Sequence, residues 1–245
     1  MTGVLIVTGG SRGIGAACAI RAAQEGWRVA VNYKSSASAA QAVVDSIATD
    51  GGCAIALQGD VTVEDDVIYC FDQTEARLGP VTALINSAGI AGAAMRFTDL
   101  TLARWQDIQA TNATGTFLFA REALRRMQGA AGHGAIVIMS SMAAVFGAAG
   151  EAVDYAASKG AVESMTLGLA KEAAPFGIRV NAIRPGLIDT DMQDDIDPAR
   201  LARLVSSVPL GRAGTAAEVA EAAIWLISER SSYITGAILP VSGGR

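Results

Sequence analysis

The sequence predicts a doubly wound α/β fold, in which seven parallel strands form one sheet with helices on both faces. Short β-branched runs alternate with longer helical patterns along the whole chain, as in folds built from right-handed strand–helix–strand crossovers. Of the 245 residues 51% are hydrophobic but only 5% are aromatic, and such aliphatic content suits a sheet buried on both faces. A glycine-rich turn directly follows the first strand.

The predicted elements follow one another without interruption. The strands are predicted at 4–7, 29–32, 54–58, 83–86, 135–139, 179–183 and 237–241, and the helices near 14–25, 37–49, 64–78, 102–127, 155–174 and 216–228. Because this series leaves no place for a domain boundary, residues 1–245 are expected to form a single domain.

Local signals mark the ends of several elements. Thr215 and Glu218 have the spacing of a capping box that opens the last helix, and Gly51 and Gly177 follow helices at positions where glycine ends a helix.

No clear strand is predicted in residues 187–209, which contain five aspartates, at positions 189, 191, 194, 195 and 197. An insert of this length is either a functional lid or a disordered loop, and we interpret it as a lid over the substrate.

Bulk properties argue against several classes of function. The formal net charge of −5 disfavours nucleic acid or an anionic membrane surface as a partner. Cys18, Cys53 and Cys70 are widely spaced, so they are expected to be reduced and partly buried in a cytoplasmic protein. No apolar stretch has the length of a signal segment or a transmembrane helix. His133 is the only histidine, which disfavours a Ser-His-Asp hydrolase and a metal site.

The turn after the first strand has a spacing that suits the pyrophosphate of a nucleotide. Gly9 permits a tight turn, absent side chains let backbone N–H groups approach phosphate, and Gly15 lets the next helix lie close to the sheet. Glycine turns also follow strands for purely structural reasons, so the position at the start of a Rossmann-type domain carries the argument. The expected cofactor contacts of this turn are Gly9, Ser11, Arg12, Gly13, Ile14 and Gly15.

The end of the second strand bears on the choice between NAD and NADP. An NAD site places an acidic residue there to bind the ribose, whereas this segment contains Asn32, Tyr33 and Lys34 and no acid. Arg12 and Lys34 could instead bind a 2′-phosphate through charge-assisted hydrogen bonds, although both could also be solvated surface cations. The sequence therefore favours NADP(H) over NAD(H), with these four residues in the cofactor site.

A tyrosine and a lysine lie one helical turn apart in the helix after the fifth strand. Tyr155 and Lys159 have i, i+4 spacing and share a helix face. A phenol has an ordinary pKa of about 10, and a cation about 4 Å away is expected to lower that pKa towards neutrality. Such pairs are common on helices, but the position after the fifth strand and the glycine turn favour Tyr155 as a general acid/base.

Two adjacent serines end the fifth strand, at the sheet edge where open α/β sheets bind ligands. A hydroxyl there could polarise a substrate carbonyl and stabilise developing negative charge. We choose Ser141 as the catalytic serine and keep Ser140 as the alternative; both could also simply terminate the strand. Asn112 lies inside a predicted helix, close to Gly115, in a turn that both residues weaken.

These motifs together resemble the short-chain dehydrogenase/reductase family over essentially the whole chain. The glycine spacing GxxxGxG, the Tyr155/Lys159 pair and Ser141 are similar to the family pattern. So are the expected adenine contacts Asp60 and Val61, the turn Asn86-Ser87-Ala88-Gly89, in which Ser87 replaces a family asparagine, and the nicotinamide loop with Arg184, Pro185, Gly186, Ile188 and Thr190. The resemblance implies that Lys159 also holds the nicotinamide ribose, and that the backbone at Asn112 binds a water that relays protons to Lys159.

The resemblance implies a hydride transfer between NADP(H) and a carbonyl or secondary alcohol carbon of a small molecule. Ser141 and Tyr155 would bind the substrate oxygen, and Tyr155 would exchange the proton. Alternatives are a 3-oxoacyl-acyl-carrier-protein reductase, a glucose-1-dehydrogenase-like sugar oxidoreductase, and a non-catalytic NADP-sensing protein. Residues 173–177 lack the basic residue expected for an acyl-carrier-protein partner, whereas the full Asn-Ser-Tyr-Lys set disfavours a pure sensor.

Small residues share one face of the Tyr155 helix and permit close approach of another helix. They are Ala157, Gly160, Ala161, Ser164 and Gly168. Packing inside the monomer would explain this face; the family resemblance implies instead a helix-bundle dimer interface, and commonly a homotetramer.

Overall fold

Seven parallel strands form one sheet in the computed structural model, which describes residues 3–129, 134–190 and 198–245. The strands in the described residues are β1 (Val4–Thr8), β2 (Arg28–Tyr33), β3 (Cys53–Gln58), β4 (Val81–Asn86), β5 (Gly134–Met139), β6 (Ile178–Pro185), β7 (Ile188–Asp189), β8 (Gly214–Thr215) and β9 (Ile238–Val241), of which β7 and β8 form a separate two-stranded sheet. The main sheet has the order β3-β2-β1-β4-β5-β6-β9, with every neighbouring pair parallel. All seven predicted strands are confirmed, and the strand order reverses between β1 and β4, where open α/β sheets bind ligands.

Helices cover both faces of the sheet. They are α1 (Gly13–Gln24), α2 (Ala37–Thr49), α3 (Glu64–Leu78), α4 (Leu102–Gln109), α5 (Gly115–Gln128), α6 (Ala143–Phe146), α7 (Val153–Ala173), α8 (Pro198–Ser206) and α9 (Ala216–Ile227). Leu5 and Val7 pack with α1, α2 and α9, whereas Val4 and Ile6 pack with α3, α5 and α7. Because successive side chains of a strand point to opposite faces, β1 contributes to both cores and is fully buried.

The helix predicted over 102–127 is interrupted. A turn of π-helix, Ala110–Thr114, separates α4 from α5. In this turn the Asn112 carbonyl accepts a hydrogen bond of 2.7 Å from the Thr116 hydroxyl, and the Asn112 side chain is fully buried. Such turns frequently occur at functional sites.

The segment predicted as a lid contains regular structure. Ile188 and Asp189 of β7 pair in parallel with Gly214 and Thr215 of β8, so the prediction of no strand in residues 187–209 is wrong at this short pair. A helix, α8, begins at Pro198. The aspartates at 191, 194, 195 and 197, as well as His133, lie outside the described residues.

The small-residue face of α7 does not pack inside the monomer. Ala157, Ala161, Ser164 and Gly168 are exposed, and Gly160 is half-buried. The account of this face as core packing is therefore wrong.

Two smaller predictions have different outcomes. The capping box of α9 is confirmed, since the Thr215 hydroxyl accepts from the Glu218 amide while the Glu218 carboxylate accepts from the Thr215 amide. Cys18 and Cys70 are buried and unpaired, but Cys53 is exposed, contrary to the expectation of partial burial. In the described part of the chain, no helix is both long and apolar enough to cross a membrane.

Candidate active site

The glycine turn joins β1 to α1 with backbone geometry that requires glycine. Gly9 and Gly13 have φ angles of +60° and +54°, a region that L side chains disfavour. A Cβ on Gly15 would lie 2.3 Å from the Gly9 carbonyl oxygen, and one on Gly13 would lie 3.6 Å from the Thr190 side chain. The turn therefore faces Thr190, and the α1 N-terminus, whose Arg12 makes no side-chain cap among the described residues, has amides suited to an anion.

The two cations predicted to bind a 2′-phosphate differ in their surroundings. Arg12 is exposed, whereas Lys34, whose side chain is 71% exposed, forms an ion pair of 2.6 Å with Asp60. Burial raises the pKa of Asp60, but hydrogen bonds from Lys34 and Thr62 outweigh this effect, so the pKa lies below its ordinary value. The charge of Lys34 is thus balanced by a neighbouring carboxylate.

The other residues at this end of the site are more deeply buried. Asn32 is 1% exposed, and its amide donates to the Gly59 carbonyl at 3.0 Å. Val61 is also buried, and a Cβ on Gly115 would lie 2.6 Å from Val61 Cγ2. Tyr33 is half-buried at the end of β2. Asn32 therefore holds the turn after β3 rather than presenting its amide to solvent.

Thr8 organises the turn after β4, a role that no motif in the sequence indicates. Its hydroxyl donates to Asn86 Oδ1 at 3.0 Å and accepts from the amides of Ser87 and Ala88, each at 3.0 Å. The Asn86 amide in turn donates to the Thr116 carbonyl at 3.1 Å. A hydroxyl has one donor and two acceptor positions, so Thr8 uses all of them to join the ends of β1 and β4.

The Asn112 side chain fixes the segment that follows this turn. Its Oδ1 accepts from the Ile90 amide and its Nδ2 donates to the Ile90 carbonyl, both at 2.9 Å, and Nδ2 also donates to Ser158 Oγ at 3.0 Å. A Cβ on Gly89 would lie 3.3 Å from Asn112 Oδ1 and 3.4 Å from Lys159 Nζ. The glycine therefore allows the backbone to lie against both side chains.

Lys159 and Tyr155 lie together on α7, as their spacing predicts. Lys159 is 4% exposed, and its Nζ donates to the Met139 carbonyl at 2.7 Å and lies 5.7 Å from the centre of the Tyr155 ring. Burial lowers the pKa of Lys159 to about 8. Burial also raises the pKa of Tyr155, which the hydrogen bond with Ser141 only partly offsets. The expectation that Lys159 lowers the phenol pKa is wrong for this arrangement, because burial opposes ionisation of the phenol.

The two serines at the end of β5 point in different directions. Ser141 lies beside Tyr155 and lowers the pKa of the phenol, and its Oγ accepts from the Ala143 amide at 3.1 Å. Ser140 is buried, and its hydroxyl contacts Glu163 Oε1 at 2.7 Å. Of the two serines, Ser141 is therefore the one that interacts with the phenol.

Glu163 is a second residue of the site that the sequence motifs do not indicate. Its two carboxylate oxygens accept from Arg184 Nε and Nη2, each at 2.6 Å. Burial raises the pKa of Glu163, but hydrogen bonds from Arg184 and Ser140 outweigh this effect, so the pKa lies below its ordinary value. Its place one turn after Lys159 on the same helix is a signal that could have identified it. The ion pair connects α7 to the loop predicted to hold nicotinamide.

That loop lies against the last strand of the sheet. Pro185 is buried, the Gly186 amide donates to the Val241 carbonyl at 2.9 Å, and a Cβ on Gly186 would lie 2.7 Å from Ser242 Cα. Ile188 is 5% exposed. The glycine turn, the Asn86 turn, the serines and this loop therefore all follow the carboxyl ends of β1, β4, β5 and β6 at one edge of the sheet.

The geometry agrees with similarity to known proteins. The profile of the family described as enoyl-(acyl carrier protein) reductase matches residues 9–245. The chain is 46% identical to the uncharacterized oxidoreductase YgfF of Escherichia coli (strain K12), over 99% of both chains. It is 36% identical to the 3-oxoacyl-[acyl-carrier-protein] reductase FabG of Staphylococcus aureus, over 100% of this chain and 98% of the relative.

Solved structures match over the same length. A dehydrogenase/reductase from Sinorhizobium meliloti 1021 superposes with a TM-score of 0.94 at 34% identity, covering 100% of this chain and 95% of that one. A short-chain type dehydrogenase/reductase from Mycobacterium marinum gives a TM-score of 0.92 at 36% identity, covering 98% and 94%. With its Rossmann-type sheet and these full-length matches, the chain belongs to the short-chain dehydrogenase/reductase family of oxidoreductases.

Proposed function

We propose that the protein is an NADP(H)-dependent oxidoreductase that transfers a hydride between nicotinamide and a carbonyl or secondary alcohol carbon. The observation that carries the proposal is the placement of Lys159 Nζ 5.7 Å from the Tyr155 ring, with Ser141 close enough to lower the pKa of the phenol. Two hydroxyls beside a buried ammonium suit the binding of a carbonyl oxygen and the transfer of one proton to it.

The residues at the sheet edge fit a dinucleotide. The uncapped N-terminus of α1 and the cradle between Gly13 and Thr190 suit a pyrophosphate. The remaining contacts would come from Asp60 and Val61 for adenine, Asn86, Ala88 and Gly89 beside it, and Pro185, Gly186, Ile188 and Thr190 for nicotinamide. When bound, the cofactor supplies or accepts the hydride.

The catalytic residues then have separate roles. Tyr155 donates its proton to the substrate oxygen in reduction; the raised pKa of this phenol keeps it protonated until the substrate oxygen gains charge. Ser141 donates a second hydrogen bond to that oxygen. Lys159, held by the Met139 carbonyl, carries a positive charge near the phenol, and Asn112 fixes the backbone at Ile90.

The preference for NADP(H) rests on the two cations at the end of β2. Arg12 is exposed and Lys34 is 71% exposed, so both side chains are accessible to a 2′-phosphate. Asp60 competes for Lys34, which leaves Arg12 as the stronger phosphate ligand.

A 3-oxoacyl-acyl-carrier-protein reductase is the second candidate. The similarity to the S. aureus FabG over the full chain favours it. Residues 173–177 lack a basic residue, however, which weakens the case for an acidic carrier protein as partner.

Three further proposals go with either function: a single domain with a substrate lid at 187–209, a homotetramer or homodimer formed through the exposed face of α7, and a cytoplasmic location consistent with the unpaired cysteines.

Cofactor binding followed by turnover tests the proposal. NADPH and NADH are titrated separately, with energy transfer from the three tryptophans as the signal. We expect NADPH to bind at least about tenfold more tightly, or ~1.4 kcal/mol. The complex is then offered ketones, 3-oxoacyl thioesters and sugars with NADPH or NADP⁺, and consumption or formation of NADPH is followed.

Y155F is the matched control for turnover. It should bind NADPH with nearly the wild-type Kd and lose activity, and retention of about a tenth of the wild-type kcat would exclude Tyr155 as the essential acid. Tighter binding of NADH would contradict the NADP(H) assignment alone. Failure to bind either nucleotide would contradict the oxidoreductase and the sensor together.

A further inference from the structure

Arg104 on α4 joins the segment that contains Ala93 to the first turn of α7, and both flank the candidate active site. Its Nε donates to Asp154 Oδ2 at 2.7 Å, its Nη2 lies 3.5 Å from Asp154 Oδ1, and its Nη1 donates to the Ala93 carbonyl at 2.6 Å. The guanidinium packs on Gly92, where φ is +72° and a Cβ would lie 3.2 Å from Arg104 Cζ. The planar fork of an arginine can bond in two directions at once, so a single side chain holds both segments.

Asp154 directly precedes the tyrosine and is fully buried. Its Oδ1 accepts from the Tyr155 amide at 2.9 Å, and its carbonyl accepts from Gln109 Nε2 at 3.1 Å. Amides in the first turn of a helix have no partner within the helix, and a carboxylate there is favoured by the helix dipole. The position of Asp154 therefore sets the position of the helical turn that carries the phenol.

The segment on the other side of Arg104 is fixed at three points. Asn112 binds both backbone groups of Ile90, the guanidinium binds the Ala93 carbonyl, and the Met95 amide donates to the Glu151 carbonyl at 2.8 Å. These bonds fix residues 90–95 between the turn after β4 and the loop that precedes α7.

We propose that Arg104 and Asp154 are a positioning pair that holds Tyr155 in a fixed position relative to residues 90–95. This inference rests on the proposed function and adds to it two residues that act through Tyr155. The pair is specific to its geometry, because a lysine would retain the charge but lacks the planar fork that directs separate N–H groups at the carboxylate and the Ala93 carbonyl.

R104K therefore tests the pair while keeping a positive charge beside the buried carboxylate. Removal of that charge would leave the carboxylate uncompensated and would be strongly destabilising. The matched control is R126K, since Arg126 also bridges several carboxylates, of Asp72, Glu75 and Glu122, on α3 and α5. If R104K does not fold, D154N replaces it, because the amide retains the shape and an acceptor oxygen.

The first measurement does not depend on activity. Labelling of the Cζ carbon of tyrosine with ¹³C gives one NMR signal for each of the four tyrosines, and Y155F identifies that of Tyr155. We expect R104K to shift or broaden the Tyr155 signal while the other three keep their wild-type positions. R126K should leave all four unchanged. A Tyr155 signal that is identical in R104K and wild type overturns the proposal.

Kinetics provide the second measurement. Misplacement of a reacting group lowers the chemical step, so R104K should reduce kcat by about tenfold or more with little change in the Kd of NADPH. The isotope effect with NADPH deuterated at the transferred position should rise. An unchanged isotope effect would indicate a simple loss of folded enzyme and would overturn the proposal. If the Tyr155 signal moves but wild type turns over no carbonyl, the positioning of Tyr155 is supported and the proposed oxidoreductase function fails.

Discussion

Lys159 donates a hydrogen bond of 2.7 Å from its ammonium group to the backbone carbonyl of Met139, the last residue of β5. The side chain is only 4% exposed, and burial lowers its pKa from 10.5 to about 8. Folding therefore confines a cation that the unfolded chain would leave in water. Such a group is retained at a cost in stability, which is typical of functional sites.

Replacement of Lys159 by methionine should change how stability depends on pH. Between about pH 8 and 10.5 the unfolded wild type binds more protons than the folded wild type, so its stability rises with pH. Over this interval the wild type should gain about 3 kcal/mol relative to K159M. Urea unfolding of both proteins from pH 7 to 10.5 measures the difference, and parallel curves would contradict a lowered pKa. K159M should also lose turnover.

The two adjacent serines should separate into a catalytic and a structural residue. S141A removes the hydroxyl beside the Tyr155 phenol, and we expect kcat to fall by about a hundredfold with little change in the melting temperature. S140A removes a contact to Glu163 and should reduce the free energy of unfolding by about 1 kcal/mol with kcat nearly retained. Steady-state kinetics and urea unfolding of both variants make the test. The reverse pattern would identify Ser140 as the catalytic serine.

Much of the fold was predictable because its strands are buried on both faces. A strand such as β1, with Val4 and Ile6 on one side and Leu5 and Val7 on the other, has a continuous apolar run that is bounded clearly by the glycine turn. The interruption before α5 was less predictable. Asn112 in the π-helical turn bonds to Ile90, 22 positions away, and such distant contacts leave little local pattern.

The site residues that the motifs do not indicate depend on tertiary contacts in the same way. Thr8 bonds to Asn86, which is 78 positions away, and Glu163 bonds to Arg184 across two elements. The direction of the Tyr155 pKa also follows from burial, which helical spacing alone does not reveal. Motif spacing thus predicted which residues meet, but not the charges and hydrogen bonds that result.

Thr8 should be needed for the shape of the turn after β4. T8V keeps the volume of the side chain but leaves the amides of Ser87 and Ala88 without their acceptor. We expect the free energy of unfolding to fall by about 2 kcal/mol and the Kd of NADPH to rise, because that turn borders the proposed cofactor site. T8S, which restores the hydroxyl, is the control, and both quantities should recover in it. A loss in T8S but not in T8V would mean that the methyl group, not the hydroxyl, matters.

The exposed face of α7 should determine the oligomeric state. Ala161 lies on it together with Leu167, which is 46% exposed. A161R would place a long charged side chain where a second helix is expected to pack closely, so the assembly should dissociate towards monomers. A76R introduces the same side chain at an exposed position of α3 and should have no effect. Sedimentation velocity compares the variants; an unchanged A161R, or a monomeric wild type, would contradict an interface on this face.

The ion pair between Lys34 and Asp60 should tune the cofactor preference. Because Lys34 is largely exposed, its contribution to binding a 2′-phosphate should be small, about 1 kcal/mol. K34A should therefore reduce the ratio of NADH Kd to NADPH Kd by about fivefold.

D60N releases Lys34 from its partner and should raise the same ratio. Weaker binding of the adenine ring in this variant would affect both cofactors equally, so it cancels when the Kd values are divided. Fluorescence titrations of wild type, K34A and D60N with both nucleotides supply the values. Opposite changes in the two variants would identify Lys34 as a ligand of the 2′-phosphate whose availability Asp60 controls. If neither variant alters the ratio, Lys34 is a solvated surface cation, and R12A becomes the variant that must account for any preference for NADPH.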